Sequence, residues 1–424
     1  MEQNYDIHKA IPQLRFPEFQ NDGEWEVKRL GEICIVNPPS KDIPDEFYYL
    51  DLESVVAGRI IGCNRIKREG APSRAQRLVQ KYDVLFQMVR PYQQNNLYFL
   101  FEDGQYVAST GYAVLRAKEG VSDSGYLYHI VHSKDFLSQV LQRCTGSNYP
   151  AINSSSLEDI CVPHPPLAEQ RRIAACLSAL DEMLAATNEK LEQMKAYKRG
   201  LMQQLFADSM GGGKSLKISY LSISKLRFPA FYQEKEWEEK KLGDYLYEHK
   251  TKSDGKCQVY SVSVTKGVIN QMEYLGRSFA SSDTSNYKLV KPFDIVYTKS
   301  PTGEFPYGII KQSLIGHNVI VSPLYGVFSP SNQYIGYMIQ SYFESSTRTN
   351  NYLAPIVQKG AKNTIQISND VFLSQNVCLP SNENEQRKIA ECLSAMDETI
   401  NAYTKKVSLL GQYKKGLMQQ MFVN

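Results

Sequence analysis

Two stretches of the chain combine cations with amide and hydroxyl side chains, the mixture that can hold phosphates and probe base edges. Residues 59–81 contain Arg59, Arg65, Lys67, Arg68, Arg74, Arg77 and Lys81 against the single acid Glu69. Residues 249–312 hold nine Lys or Arg against five Asp or Glu. The segments around them, roughly residues 34–160 and 246–375, are rich in Tyr, Asn, Gln, Ser and Thr. Local basic patches with hydrogen-bonding neighbours are the electrostatic footprint of a nucleic-acid surface. The plainer alternative is a solvated, mildly basic face, and charge alone does not separate the two.

Other constellations promise chemistry less well. Gly211-Gly212-Gly213-Lys214-Ser215 looks like the end of a phosphate-binding loop. The first glycine of that motif would fall on Asp208, after a helix rather than a strand, so a linker is expected. Asn37-Pro38-Pro39-Ser40 is close to the turn by which amino-methyltransferases hold a flipped adenine. The stacking aromatic is replaced by Ser40 and no glycine-rich cofactor loop accompanies it, so a simple turn is expected. His129 and His132, with Cys161 and His164 downstream, lack a spacing that guarantees convergence on a metal. Capping or lining a packed helix is the expected use of these histidines. No Ser/His/Asp order and no nuclease-like acidic cluster stands out, so a catalytic centre is not expected.

The elements that must position the basic stretches are written twice. Leu14-Arg15-Phe16-Pro17-Glu18-Phe19, Glu24-Trp25-Glu26 and Lys28-Arg29-Leu30-Gly31 return 212 residues later, from Leu226 to Gly243. Glu169-Gln170-Arg171-Arg172-Ile173-Ala174, Leu177 to Glu182 and Tyr197 to Gln204 return 216 residues later, from Glu385 to Gln420. Between these blocks, roughly residues 34–160 and 246–375 do not align. One frame therefore carries two different inserts.

The repeated tails read as helices. Ile173, Leu177, Leu180, Leu184, Thr187, Leu191, Met194, Lys198, Leu201 and Leu205 form a stripe spaced 4, 3, 4, 3. Ile389, Leu393, Met396, Ile400, Tyr403, Val407, Leu410, Lys414, Leu417 and Met421 repeat it. About five heptads favour a coiled-coil seam. Pro165-Pro166 opens one helix, and Asn382 three residues before Glu385 gives a capping-box start to the other. Antiparallel packing would set an insert at each end. Lys198 and Lys414 would then meet the acidic start of the other helix at Glu385 and Glu391, or at Glu169.

The inserts read as short segments between turns. A strand is expected over Tyr82–Arg90, closed by Pro91, with its counterpart over Tyr287–Tyr297. Helix-like pieces lie at Gly125–His132 and Tyr334–Ile339. The expected class is α/β (α+β), two globular domains joined by two long antiparallel coiled-coil helices in a pseudo-two-fold repeat. The divisions fall at 1–165, a helix at 166–206, a glycine-rich linker at 207–224, 225–381 and a helix at 382–424.

Composition sets outer bounds. The 424 residues carry a net charge of +3, with 42% hydrophobic residues and 22% charged. No apolar run reaches membrane-spanning length, the first residues lack a secretory layout, and eight scattered cysteines show no disulfide rhythm. A cytoplasmic protein without a membrane partner is expected.

In this arrangement the chain resembles the DNA-specificity subunits of type I restriction–modification systems. The likeness rests on the duplicated opening at 14–31 and 226–243, on Asp83-Val84-Leu85-Phe86 with Arg90-Pro91-Tyr92, and on Val162 through Ile173. The second copy reads Leu379-Pro380-Ser381-Asn382 where the first has a Pro-Pro-Leu turn, so the fine geometry of that junction is not carried over. The resemblance implies that each insert is a target-recognition domain reading half of a bipartite, asymmetric site in double-stranded DNA. It implies helices that space the domains and dock two modification subunits, which bring S-adenosylmethionine and methylate adenine. Restriction subunits would add translocation and cleavage with ATP and Mg. The chain itself would bind no cofactor or metal and do no chemistry.

With that role, Arg90, Gln93, Gln94, Asn95 and Asn96, just after the expected strand, are the candidate base readers of the first domain. Arg65, Lys67, Arg68, Arg74 and Arg77 are its candidate phosphate contacts. In the second domain, Thr298, Lys299, Ser300 and Thr302 are the readers by position, with Lys250, Lys252 and Lys266 on the backbone. A coiled-coil adaptor without DNA readout would explain the helices but not the basic, divergent inserts. A standalone DNA adenine methyltransferase would need the missing cofactor loop.

Overall fold

A computed structural model describes residues 11–40, 43–102, 105–206, 226–253, 255–276, 283–359 and 365–422. The linker expected at 207–224 lies outside the described residues. Two 39-residue helices, Leu167–Leu205 and Glu383–Met421, dominate the chain, each about 58 Å long at 1.5 Å per residue. Every position of the two heptad stripes is buried or half-buried. Among the described residues no helix is long and apolar enough to cross a membrane.

The chain forms two compact units whose boundaries fall inside these helices. One takes in the chain up to Glu189 and the stretch from Lys405, and the other is Lys190–Thr404. In the first unit the sheet order is Cys34–Val36, Tyr112–Ala117, Val84–Gln87, Leu97–Tyr98. A second sheet runs Asn64–Lys67, Glu46–Leu50, Tyr106–Ser109, Ala75–Leu78. The helix Ser124–Ile130, capped by Asp123, lies on the first sheet through Tyr126, Leu127 and Ile130, which share a core with Val84, Phe86 and Leu115. Ile173, Ala174 and Leu177 from the start of one long helix enter that core, as do Met421 and Phe422 from the end of the other.

In the second unit the sheet order is Leu246–Glu248, Gly326–Pro330, Ile295–Tyr297, Ile310–Gln312. Its helix Gln333–Tyr342, capped by Asn332, packs the core through Ile335, Met338 and Ile339. Ile389, Ala390 and Leu393 join from the start of one long helix, with Met202, Leu205 and Phe206 from the end of the other. The unalignable inserts therefore share a sheet order and a helix.

Both expected strands are shorter than their apolar runs. The first is Val84–Gln87, because Arg90 turns left-handed at φ 54° and Pro91 opens a 3-10 turn. The second breaks into Lys288–Val290 and Ile295–Tyr297. Pro292 has no N–H to give a ladder, Phe293 sits at φ 69°, and Asp294 Oδ2 accepts the Lys291 N–H at 2.7 Å. The first unit makes the same turn, with Tyr82 at φ 71° and Asp83 Oδ2 accepting the Gln80 N–H at 2.8 Å.

The repeated residues build one joint, made once in each unit. Arg15 donates from Nε and Nη2 to the two carboxylate oxygens of Glu169 at 2.7 Å each, and Trp25 Nε1 donates to Oε2 at 3.0 Å. Arg227 holds Glu385 at 2.7 Å twice, with Trp237 Nε1 at 3.2 Å. The adjacent glutamine ties in the insert. Gln170 Oε1 accepts from the Asp123 N–H at 2.9 Å, and Gln386 Oε1 accepts from Asn332 Nδ2 at 2.9 Å. Gln170 Nε2 reaches Pro165 O at 2.8 Å and Gln386 Nε2 reaches Pro380 O at 2.7 Å, so the junctions match although their turn residues differ.

This joint overturns two expectations. Asn382 does cap the second helix, accepting from the Asn384 and Glu385 N–H groups, but the Glu385 carboxylate goes to Arg227 and Trp237 instead of closing a capping box. Lys198 and Lys414 likewise do not meet Glu385, Glu391 or Glu169. Glu169 and Glu385 are occupied, and Glu391 pairs loosely with Arg387. Lys198 reaches Asp397 and Glu344 in the second unit, and Lys414 reaches Asp181 in the first.

Candidate nucleic-acid interface

In the first unit the candidate phosphate contacts lie on and beside the two edge strands of one sheet. Arg65 and Lys67, two residues apart on the edge strand Asn64–Lys67, point to the same face. Both are exposed; Arg65 pairs with Glu46 at 3.3 Å, and Lys67 stands opposite Glu46 in the register. Arg68 is exposed and donates to Ile43 O at 3.1 Å, and Arg74 is exposed just before the strand Ala75–Leu78. Arg77, on that opposite edge strand, is half-buried with its Nε unpartnered, and burial pushes its pKa down. These five cations therefore divide between the two edges of one sheet.

The candidate readers lie in the loop after Val84–Gln87, and Gln87 organises that loop. Its Nε2 donates to Val89 O and Gln93 Oε1, both at 2.8 Å, and its Oε1 accepts the Asn95 N–H at 3.1 Å. Its own N–H goes to Asn96 Oδ1 at 2.9 Å. Asn96 is only 1% exposed and is therefore part of the loop's framework, not a group presented outward. Arg90, Gln93, Gln94 and Asn95 stay at least partly open, Gln94 in a left-handed conformation and Asn95 accepting the Ala57 N–H at 3.2 Å. A glutamine inside an apolar strand was the available signal for Gln87, and it was missed.

The second unit uses its loop differently. Thr298 is 3% exposed and its hydroxyl accepts the Ile309 N–H at 3.1 Å, so it braces the loop from within. Lys299 is half-buried at φ 57°, and its pKa is pushed down by burial and then by Lys288, against a smaller pull from Glu248. Gly308 passes so close that an added Cβ would lie 2.7 Å from the Lys299 nitrogen, which demands glycine there. Ser300 and Thr302 are exposed, donating to Thr298 O and Ser300 O at 3.3 Å each. Lys250 is exposed, Lys252 donates to Asn286 at 3.1 Å, and Lys266 lies 5.4 Å over the Tyr274 ring at a hairpin turn. Lys250 and Lys252 lie two residues apart after the strand Leu246–Glu248, Lys252 in an isolated bridge to Lys288, so only Lys266 sits at a turn.

The Asn37 turn and the histidines make packing contacts. Asn37 exchanges hydrogen bonds with Val114 and donates to Ser154 at 2.8 Å. His129 Nε2 lies 3.1 Å from Ser178 Oγ on the long helix, His132 Nδ1 lies 2.7 Å from Tyr128 O, and His164 Nε2 lies 3.0 Å from Val121 O. Among the described residues no cluster of three His, Cys, Asp or Glu could hold a metal. The Gly211–Ser215 segment lies outside the described residues.

Residues 22–196 match the family model described as the type I restriction modification DNA specificity domain. The chain is thus similar to type I specificity subunits over most of its length. Over 97% of its length and 93% of the relative's, it is 24% identical to the type I restriction enzyme MjaVIII specificity subunit of Methanocaldococcus jannaschii. Its fold is similar to the crystal structure of a type I S subunit from M. genitalium, with a TM-score of 0.61 at 16% identity, covering 97% of this chain and 99% of that one. A second neighbour, from a structural study of type I assembly and conformational transition, gives 0.50 at 20% identity over 94% and 97%.

Proposed function

We propose that this specificity subunit reads a bipartite, asymmetric site in double-stranded DNA and directs methylation and restriction by its partner subunits. The observation that carries the reading is the pairing of a frame repeated residue by residue with inserts of one sheet order but unlike loops. Identical inserts on such a frame would read an inverted repeat; unlike inserts read two different half-sites. The loop after Val84–Gln87 and the Thr298–Thr302 loop read bases, and the exposed cations around them hold phosphates.

The two long helices run antiparallel as a spacer between the domains, so their length sets the unread gap. Two contacts support this: Lys198, late in one helix, meets Asp397, early in the other, while Lys414 and Asp181 make the reciprocal contact. The repeated frame docks two modification subunits, which carry S-adenosylmethionine and methylate adenine, and restriction subunits that use ATP and Mg. This chain binds no cofactor of its own and works in the cytoplasm. Co-expression with its modification subunit, followed by genome-wide mapping of methylated adenine, tests the reading. One split, asymmetric motif is expected; unmethylated DNA with an active partner would refute it.

A further inference from the structure

The hairpin Thr145–Ala151 carries none of the charge that marked the basic stretches, yet the structure pins it to the end of the reading strand. Thr145 and Ala151 exchange backbone hydrogen bonds at 2.9 and 3.0 Å, and Ile152 N–H reaches Met88 O at 3.1 Å. The Arg90 N–H donates to Pro150 O at 2.7 Å, which fixes Arg90 in its left-handed conformation at φ 54°. An L-residue held there is strained, and such strain concentrates at binding loops. Gly146, at φ 91°, makes the turn that leaves Ser147, Asn148 and Tyr149 exposed at the tip.

Tyr149 is 65% exposed, and the Arg90 guanidinium lies 4.3 Å from its ring centroid. Among the described residues no carboxylate pairs with Arg90, and its Nε is buried without a partner. Arg116 and Arg15, by contrast, are spent on Asp83 and Glu169. A guanidinium held through its face on an aromatic ring keeps its Nη edge free for two parallel hydrogen bonds. In duplex DNA the matching acceptor pair is O6 and N7 of guanine in the major groove.

We propose that Tyr149 is a positioning residue that orients Arg90 to read a guanine in the first half-site, with Ser147 and Asn148 beside it as a second reading element. This inference rests on the DNA-reading function proposed above. The test compares methylation motifs of the full chain with its modification subunit, in wild type and in Arg90→Ala, Tyr149→Ala and Tyr149→Phe.

Arg90→Ala should relax one guanine of one half-site. Tyr149→Ala should relax the same position, with about a two- to five-fold loss of discrimination, while Tyr149→Phe keeps it. The other half-site, read by the second domain, should stay strict in all variants and reports that the complex is assembled. A Tyr149→Ala motif as strict as wild type, or one relaxed equally in both halves, would overturn the inference. So would relaxation at a position other than that of Arg90→Ala. A wild-type complex that methylates no split motif would instead refute the DNA-reading function itself.

Discussion

Lys198 Nζ lies 2.6 Å from Asp397 Oδ1 where the lysine side chain is only 9% exposed, and Glu344 approaches from the other side at 2.7 Å. Asp397 also accepts from the Tyr337 hydroxyl at 2.7 Å. Burial alone would lower the Lys198 pKa, but the Glu344 and Asp397 carboxylates outweigh it and raise the value above 10.5. Replacing the lysine leaves Asp397 with only the Tyr337 hydroxyl, and Glu344 with the more distant Lys311 at 3.7 Å. Lys198→Leu should cost about 2–4 kcal/mol in urea unfolding, below the full buried-pair cost because the carboxylates are partly exposed. Adding Asp397→Asn and Glu344→Gln should recover most of it. Since the folded pKa is raised, the wild-type contribution persists up to about pH 10.5 and fades as pH climbs through the folded value.

The Arg15–Glu169 contact predicts a second stability effect. Its side chains are 7% and 1% exposed, and Trp25 shares the same carboxylate. Glu169→Gln preserves shape but strips the countercharge from a buried guanidinium, so a loss of about 3–5 kcal/mol is expected. Glu385→Gln should lose a similar amount, because Arg227 and Trp237 make the same contacts. Urea midpoints for the two single variants check this, and a loss under about 1 kcal/mol in both would show that the joint is not held by charge.

These joints explain why the frame was legible and the inserts were not. Arg15, Trp25, Glu169 and Gln170 each have one geometric job, so they stand unchanged in both copies and announce themselves by repetition. The heptad stripe was equally legible, because a buried seam permits few residue types. The insert sheets share an order but have strands of only two to six residues, for which many apolar choices serve. Tyr82 and Phe293 fill equivalent left-handed positions where glycine would signal a turn, so in the second copy Pro292 alone marks the break before Asp294. The burial of Asn96 and Thr298 follows from partners across a loop, Gln87 and Ile309, that residue periodicity does not reveal.

The buried histidines predict acid sensitivity. Burial lowers the pKa of His129 well below 6.5, with Lys414 and then His132 adding to the effect; Asp181, 4.0 Å from Nδ1, is itself held by Lys414. Burial also lowers His132, against its bond to Tyr128 O. A depressed folded pKa means that the unfolded chain takes up protons first. The stability tied to these neutral rings is therefore complete above about pH 6.5 and is lost as pH falls. The wild-type unfolding free energy should drop between pH 7.5 and 5 by up to about 1.4 kcal/mol per pH unit for each histidine. His129→Gln, which can still reach Ser178, should show a shallower drop in the same measurement.

Lys67 and Arg90 should separate affinity from specificity. Lys67 is exposed on a sheet edge opposite Glu46, whereas Arg90 is held at the reading loop by Pro150 and Tyr149. In the complex with its modification subunit, Lys67→Ala should weaken binding to all sequences alike and reduce the salt slope by about 0.9. Arg90→Ala should cost about 1–3 kcal/mol on cognate DNA and little on random DNA, with the salt slope nearly unchanged. Competition binding at several salt concentrations measures both. Equal losses on cognate and random DNA for the two variants would mean that Arg90 holds phosphate and that bases are read elsewhere.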